Sequence, residues 1–376
     1  MFGRGIRLFR LFGFSVEIDV SWLIIAVLVT WSLAAHYFPH FYENLSTATY
    51  WWMGVIGALG LFASIVFHEF SHSLVARQYG LEMSGIRLFV FGGVAQMDEE
   101  PETPRAEFMM AIAGPIASVL ISGVAFGAHR LGSGLGWSTP VTAVLLYLAW
   151  INGVLVIFNL IPAFPLDGGR ILRAILWKLK DNLRWATRIA TYAGSGFALF
   201  LVFMGVMNLI ATHNFIGGMW WILLGLFLRA ASESSYQQVI VRRVLSGVQV
   251  KGMMRTDVQT VPPSISIEDL VENYVYRYHF KMFPVTEDGH LVGCITTRQI
   301  KEVPREEWGE RTVGELAEQC TGENSVSPDT DALEAFRKMS GDGQSRLLVV
   351  EGDQLVGIIS LKDISGHISL KLQLEE

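Results

Sequence analysis

The sequence predicts an α-helical polytopic membrane domain, with six transmembrane helices and a short membrane-associated β-hairpin, followed by a soluble α/β domain. The 376-residue chain is 51% hydrophobic and only 17% charged, which is too apolar for an ordinary soluble protein. Long hydrophobic runs are confined to residues 1–230, whereas the later part has the mixed composition of a soluble domain. We therefore expect a membrane domain at 1–230, a linker at 231–245 and a soluble domain from residue 246 onward.

Apolar segments suited to membrane crossing occur at residues 20–36, 51–77, 107–128, 141–160, 190–212 and 217–228. The last of these is short for a hydrocarbon core about 30 Å thick. The loops 37–50 and 212–218 contain no Lys or Arg, whereas the segment 168–188 contains six. By the positive-inside rule, this asymmetry predicts a multi-pass protein of the cell membrane with both termini and the soluble domain in the cytoplasm. Arginines near the N-terminus precede no small-residue cleavage site, so we expect no cleaved signal peptide.

The second predicted span contains the sequence His68-Glu69-Phe70-Ser71-His72. Residues i and i+4 lie on one face of a helix, so the two imidazoles can bind a single Zn²⁺. Glu69 can then act as general base toward a metal-activated water, as in other proteases with this spacing. Each ionisable side chain within a span costs about 2.5–3.5 kcal/mol on insertion scales. This cost favours a functional site over a pair of hydrogen-bonded core histidines.

A third metal ligand is needed, because a catalytic zinc site combines three protein ligands with one open position. Asp167 is the leading candidate, since it follows an apolar run and the helix-breaking residues Pro162 and Pro165. Spacing alone leaves two interpretations open. Asp167 is either the third ligand or the N-cap of the next helix.

The motif His68-Glu69-x-x-His72, taken with Asn159-x-x-Pro162-x-x-Pro165-Leu166-Asp167-Gly168, resembles the site-2 protease family of intramembrane zinc metalloproteases. The resemblance covers residues 1–230. It implies one Zn²⁺ per chain, bound by His68, His72 and Asp167, with Glu69 as the general base. It also implies that Asn159 contacts the substrate or the developing oxyanion. The alternative for Asn159 is an amide that holds a broken helix together.

Segment 85–97, directly after the histidine helix, is β-rich and contains the pair Gly92-Gly93. It predicts a hairpin with an open edge that pairs with an unwound substrate strand, which places these glycines in the substrate-binding region. The alternative is a scaffold hairpin packed against residues 6–18, and both interpretations can hold together. In the third span, the small residues of segment 113–118 predict close helix packing rather than catalysis.

The polar part contains an internal repeat, in which the pattern of residues 284–300 recurs at 348–364. Each copy predicts a helix, two strands joined by a glycine turn, and a closing helix. The repeat resembles a tandem pair of CBS domains, at 246–303 and 311–372. This resemblance implies an adenine nucleotide (ATP, ADP or AMP) bound through Ser360 and Asp363. The first copy has Thr296 but Gln299 in place of the acid, so we expect a single nucleotide site, and a structural or homodimerising module remains the alternative.

These features together predict an intramembrane zinc endopeptidase that hydrolyses peptide bonds in or near the spanning segments of single-span membrane proteins in the lipid bilayer. Regulation by an adenine nucleotide at the CBS pair is a further expectation. The alternative function is a CBS-regulated membrane transporter or channel, in which the polar membrane residues line an ion path. A net charge of -6 without a basic stripe excludes nucleic acid as a partner. Both cysteines, Cys294 and Cys320, fall in the polar part, which suits a reducing cytosol.

Overall fold

The computed structural model describes residues 6–11, 14–81, 83–89, 92–97, 101–212, 215–319, 321, 324–341 and 344–375. The chain divides into two compact units, Met1–Gln237 and Gln238–Glu376. The helix Phe215–Leu245 runs across this division, so the segment 231–245, which we expected as a linker, is helical.

The described part of the chain contains six helices that are long and apolar enough to cross a membrane: α1 (Val20–Phe41), α2 (Thr47–Gln78), α3 (Pro104–Gly134), α4 (Thr139–Asn159), α6 (Leu183–Thr212) and α7 (Phe215–Leu245). Five of these helices contain a predicted span completely, and the span predicted at 141–160 ends one residue beyond α4. The predicted number of six spans is thus confirmed. The helix α5 (Asp167–Lys180) is amphipathic and lies between α4 and α6 in the chain. Large apolar side chains point outward, with Val124 73% and Ile157 72% exposed, as expected of surfaces that face lipid.

Local sequence explains where the two helices that form the site begin. The hydroxyl of Ser46 accepts a hydrogen bond from the Thr49 backbone and caps α2. The hydroxyl of Thr103 caps α3 in the same way, and Pro104 follows at the first helical position, where its missing N–H is not needed. Helix α3 packs against α2, α4 and α5. It is therefore the central helix around which the site is built.

A four-stranded sheet accompanies these helices, in the order β1 (Ile6–Leu11), β2 (Phe14–Ile18), β3 (Met83–Phe89) and β4 (Gly92–Met97). Strands β3 and β4 form the predicted hairpin, and β3 also pairs with β2 in parallel, with Ser15 opposite Gly85. The scaffold interpretation of the hairpin is thus confirmed, because it packs against the N-terminal segment. Strand β4 is the last strand in this order, with β3 as its only ladder partner among the described residues.

The second unit contains the predicted repeat. Its elements are α8 (Ile267–Leu270, continued through a π turn, Val271–Val275, to Tyr276–Tyr278), β5 (Met282–Glu287), β6 (His290–Thr296), α9 (Thr297–Glu302), α10 (Val313–Leu316), β7 (Ser325–Val326), α11 (Ala332–Gly341), β8 (Arg346–Glu351), β9 (Gln354–Ser360) and α12 (Leu361–Glu375). Strands β5 and β6 pair as β8 and β9 do, and each pair shifts register near its turn. At the first turn, Asp288 and Gly289 both have positive φ, as a tight hairpin requires.

Candidate metal centre

Two imidazoles and one carboxylate converge between α2 and α5. The residues His68 and His72 lie one turn apart on α2, and Asp167 is the first residue of α5. The Oδ2 atom of Asp167 lies 3.0 Å from His68 Nε2 and 3.3 Å from His72 Nε2. All three residues are buried, with exposed fractions of 5%, 4% and 8%. Two ligands of a tetrahedral zinc lie about 3.3 Å apart when each bond is about 2.0–2.1 Å, so this spacing fits the ion.

The Nδ1 atom of each imidazole, the outer nitrogen that faces away from Asp167, also has a polar partner. His72 Nδ1 lies 2.6 Å from the backbone oxygen of Met110, and His68 Nδ1 lies 2.9 Å from the Ser118 hydroxyl. Because a carbonyl can only accept a hydrogen bond, His72 carries its proton on Nδ1, which leaves the Nε2 lone pair free to bind a metal. Neutral imidazole nitrogens combined with a carboxylate oxygen form a donor set that zinc prefers.

Asp167 is held in place by its surroundings rather than serving as a helix cap. Leu166 occupies the N-cap position of α5, so the N-cap interpretation of Asp167 is wrong. In the preceding loop, the Phe164 backbone N–H donates to Ala190 O over 3.3 Å, and Phe164 O accepts a hydrogen bond from the Ser232 hydroxyl. Burial raises the pKa of the Asp167 carboxyl, but the adjacent His72 and His68 together hold it well below its ordinary value. The lowered pKa favours the ionised carboxyl, which is the form that can bind a metal.

Glu69 follows the first histidine on α2 and is only partly exposed. Its carboxyl interacts electrostatically with both imidazoles, with Asp167 and with Arg170, so it lies beside the candidate metal site. This location suits a general base that must reach both water and substrate.

The predicted substrate-binding residues lie at the end of α4 and at the start of β4. Asn159 is the last residue of α4 and is partly exposed. Gly92 and Gly93 begin β4, opposite Phe89 and Leu88. Among the described hydrogen bonds and ion pairs, none joins these three residues to the three candidate metal ligands.

Sequence reasoning missed the contribution of α3. Met110, Gly114 and Ser118 recur every four residues and so share one face of the helix. Met110 and Ser118 contact the outer nitrogens of His72 and His68. A Cβ on Gly114 would lie 2.6 Å from His68 Nε2 and closer still to His72 Nε2. The small residues of this face predict helix packing. The structure shows that the same face also contacts the predicted metal ligands. The signal in the sequence is a glycine followed four residues later by a hydroxyl in an apolar helix.

In the second unit, the predicted nucleotide residues differ between the two copies. The Asp363 carboxylate accepts hydrogen bonds from the Ser360 backbone at 3.1 Å and from the Ser360 hydroxyl, and pairs with Arg255 Nε at 2.8 Å. In the first copy, Gln299 Oε1 accepts from the Thr296 backbone and hydroxyl at 2.6 and 2.7 Å. The amide of Gln299 thus occupies the position that the carboxylate of Asp363 has in the second copy. A cavity of about 400 Å³ adjoins Asp363, lined by Gly252, Met253, Arg255, Lys362, Asp363, Gly366 and His367.

Comparison with known proteins agrees with both parts of this description. The model of peptidase family M50 matches residues 56–135 and 134–204, and the CBS domain model matches 250–306 and 320–370. The chain is 34% identical over 371 residues to the zinc metalloprotease MJ0392 of Methanocaldococcus jannaschii, covering 99% of this chain and 98% of the relative. It is also 34% identical over 368 residues to Rip3 of Mycobacterium tuberculosis, provisionally named a zinc metalloprotease, covering 97% and 93% of the two chains.

Among solved structures, the site-2 protease from Methanocaldococcus jannaschii matches with 31% identity and a TM-score of 0.41, covering 61% of this chain and 94% of that one. Identity of 34% over nearly the full length of both chains shows membership of one family. The chain therefore belongs to peptidase family M50, the site-2 proteases, and is a multi-pass zinc metalloprotease with a pair of CBS domains.

Proposed function

We propose that the protein hydrolyses peptide bonds in or near the spanning segments of single-span membrane proteins, within the lipid bilayer. The observation that carries this proposal is the position of the candidate metal centre. Both histidines lie within α2, a 32-residue helix long and apolar enough to cross a membrane. A peptide bond reaches that centre only if the substrate also enters the membrane or its cytoplasmic edge.

Each candidate residue would have its own role in peptide hydrolysis. His68, His72 and Asp167 would hold Zn²⁺, which would supply Lewis-acid activation of the scissile carbonyl and of the attacking water. Glu69 would take the proton from the attacking water and deliver it to the leaving amine. Asn159, at the end of α4, would donate a hydrogen bond to the substrate or to the oxyanion that develops during attack.

Substrate would bind along the edge of the sheet. A helical peptide hides its peptide bonds in its own hydrogen bonds, so the substrate must unwind before cleavage. Strand β4, which begins at Gly92 and Gly93, offers unpaired backbone groups to such a strand, since β3 is its only ladder partner in the described segments. The two glycines would permit close approach of the substrate backbone.

The loop charges support an orientation with both termini and the CBS domains in the cytoplasm. Positive residues cluster between α4 and α6, which would place the carboxylate ligand near the cytoplasmic surface.

Removal of the metal tests the proposed function. We expect purified protein, reconstituted in liposomes with a panel of single-span model substrates, to cut within or near the spans. A zinc chelator should abolish cleavage, and stoichiometric Zn²⁺ should restore it. Fragment masses would locate the cut. Ion flux across the vesicles without cleavage, at full zinc occupancy, would contradict the proposal and support the transporter alternative.

We further propose that the second CBS copy binds an adenine nucleotide and that the first does not. Support comes from Asp363, whose carboxylate is the group suited to ribose hydroxyls, and from the neighbouring cations Arg255 and Lys362, which suit phosphates. The nucleotide would have to compete with Arg255 for Asp363, because the two side chains form an ion pair.

Replacing Asp363 with Asn is expected to weaken ATP, ADP or AMP binding by about tenfold or more, because a charge-assisted hydrogen bond contributes about 1.5–3 kcal/mol. Calorimetry on the full-length protein in detergent would measure the affinity. The matched control is Asp288→Asn, in the exposed turn of the first copy, where positive φ is compatible with Asn. Equal nucleotide affinity in wild type and Asp363→Asn would remove this site assignment. The regulatory role would be contradicted if the cleavage rate did not change on adding ATP, ADP or AMP and also did not change on deleting residues 246–376.

A further inference from the structure

A buried ion pair joins α3 to α5 within the membrane unit. Glu107, near the start of α3, is 0% exposed, and Arg173 on α5 is 3% exposed. Arg173 donates through Nε to Glu107 Oε1 at 2.5 Å, and its Nη2 lies 2.5 Å from the same oxygen in an ion pair. The second oxygen, Oε2, has no hydrogen-bond partner in the part of the chain that the structure describes.

Such a pair is poorly explained by stability alone. Removing two charges from water costs several kcal/mol each, and replacing a buried ion pair by apolar side chains of similar volume is often neutral or stabilising. The pair therefore calls for another role. Arginine's planar guanidinium suits a positioning role, because its two contacting nitrogens are fixed relative to each other and so define a direction as well as a distance.

The location of the pair indicates that role. Glu107 lies one helical turn before Met110, whose carbonyl holds His72, and α3 continues to Ser118, which holds His68. Arg173 lies within two turns of Asp167 on α5. Its guanidinium also lies 4.9 Å from the centre of the Phe164 ring, in the loop that leads into Asp167. The pair thus connects the helix that orients the imidazoles with the helix that supplies the carboxylate.

We propose that Glu107 and Arg173 form a positioning pair that holds Asp167 at binding distance from His68 and His72 and thereby sets the affinity and geometry of the metal site. The inference rests on the proposed metal site of the protease. Helix α5 has 14 residues and follows an irregular loop, so its position must be fixed by contacts with its neighbours. A displacement of about 1 Å at a catalytic centre can cost about 10²-fold in rate.

The decisive variant is the double replacement Glu107→Leu/Arg173→Met, which removes both charges of the pair together. We expect its metal-free form to melt at or above the wild-type temperature. We also expect Zn²⁺ affinity, measured by competition with a chromophoric chelator, to fall about 10–100-fold, as when groups supporting metal ligands are lost. The visible absorption of the Co²⁺-substituted protein should change, because it reports the geometry of the ligands. In turnover, kcat should fall while KM stays near the wild-type value.

The control makes the same two types of substitution at an exposed pair, Arg229→Met/Glu233→Leu on α7, where the ion pair is solvated. Its metal affinity and Co²⁺ spectrum should match wild type. If Glu107→Leu/Arg173→Met also matches wild type in both, the pair is only structural and the proposal fails. If that double variant does not fold, Arg173→Lys decides, since it keeps the charge but loses the fork. Wild-type metal affinity in Arg173→Lys would likewise overturn the proposal.

The metal measurements need no substrate. A wild type that binds Zn²⁺ but cuts nothing would therefore contradict the proposed function while leaving the positioning pair fully testable.

Discussion

Replacing Glu69 with Gln is expected to abolish proteolysis and to leave the bound Zn²⁺ unchanged. Gln has nearly the same size as Glu, so the fold of α2 and the positions of His68 and His72 should persist. It cannot accept a proton, however, and general-base catalysis contributes about 10²–10⁴-fold to the rate. The ligands themselves are untouched, so metal content and metal affinity should equal those of wild type.

The measurement pairs turnover of a single-span substrate with the zinc content of the same sample. The control is Glu43→Gln, a change of the same type at a loop residue between α1 and α2. It should retain full activity and zinc. Cleavage by Glu69→Gln at the wild-type rate would show that another group is the base. If Glu69→Gln lost its zinc, the loss of activity would no longer identify a base, and the role assigned to Glu69 would fail.

The pair of histidines could be predicted from the sequence, because their arrangement depends only on the geometry of one helix. The spacing of His68 and His72 fixes their relation, since a helix brings residues i and i+4 together. Asp167 could not be assigned from spacing, because its distance from the histidines depends on how α2 and α5 pack. It contacts His68 across 99 residues of chain. The family resemblance, rather than the spacing, favoured the ligand interpretation, and the structure shows the contacts that support it.

Non-local pairs explain most of what the sequence does not reveal. Glu107 and Arg173 are 66 residues apart, and neither belongs to a repeating pattern that would mark it. The predicted linker at 231–245 is helical, which its composition did not indicate. Its polar composition indicates a linker, yet residues such as Glu233 and Arg242 are good helix formers, and α7 continues through them. By contrast, the two CBS copies can be recognised from the sequence alone, because each copy resembles the other.

Replacing Gly114 with Ala is expected to reduce Zn²⁺ affinity by at least about 10–100-fold, comparable to losing a group that supports a metal ligand. A Cβ at this position would lie 2.6 Å from His68 Nε2, whereas real Cβ contacts are almost never shorter than 3.0 Å. The imidazoles cannot easily turn away, since Ser118 and Met110 hold their outer nitrogens. The added methyl group would therefore displace the nitrogens that face Asp167, or push α3 away from α2.

Helix propensity makes this prediction sharper. Ala is more favourable than Gly in a helix by about 0.8–1.0 kcal/mol, so weaker metal binding could not be attributed to a weaker α3. Gly123→Ala, on the same helix, adds a Cβ that would meet no atom within 4 Å, and it should keep zinc affinity and activity at wild-type values. Competition with a chelator measures both variants on one scale. Wild-type affinity in Gly114→Ala would mean that α2 and α3 separate without disturbing the ligands, and Gly114 would return to the packing role that its size alone suggests.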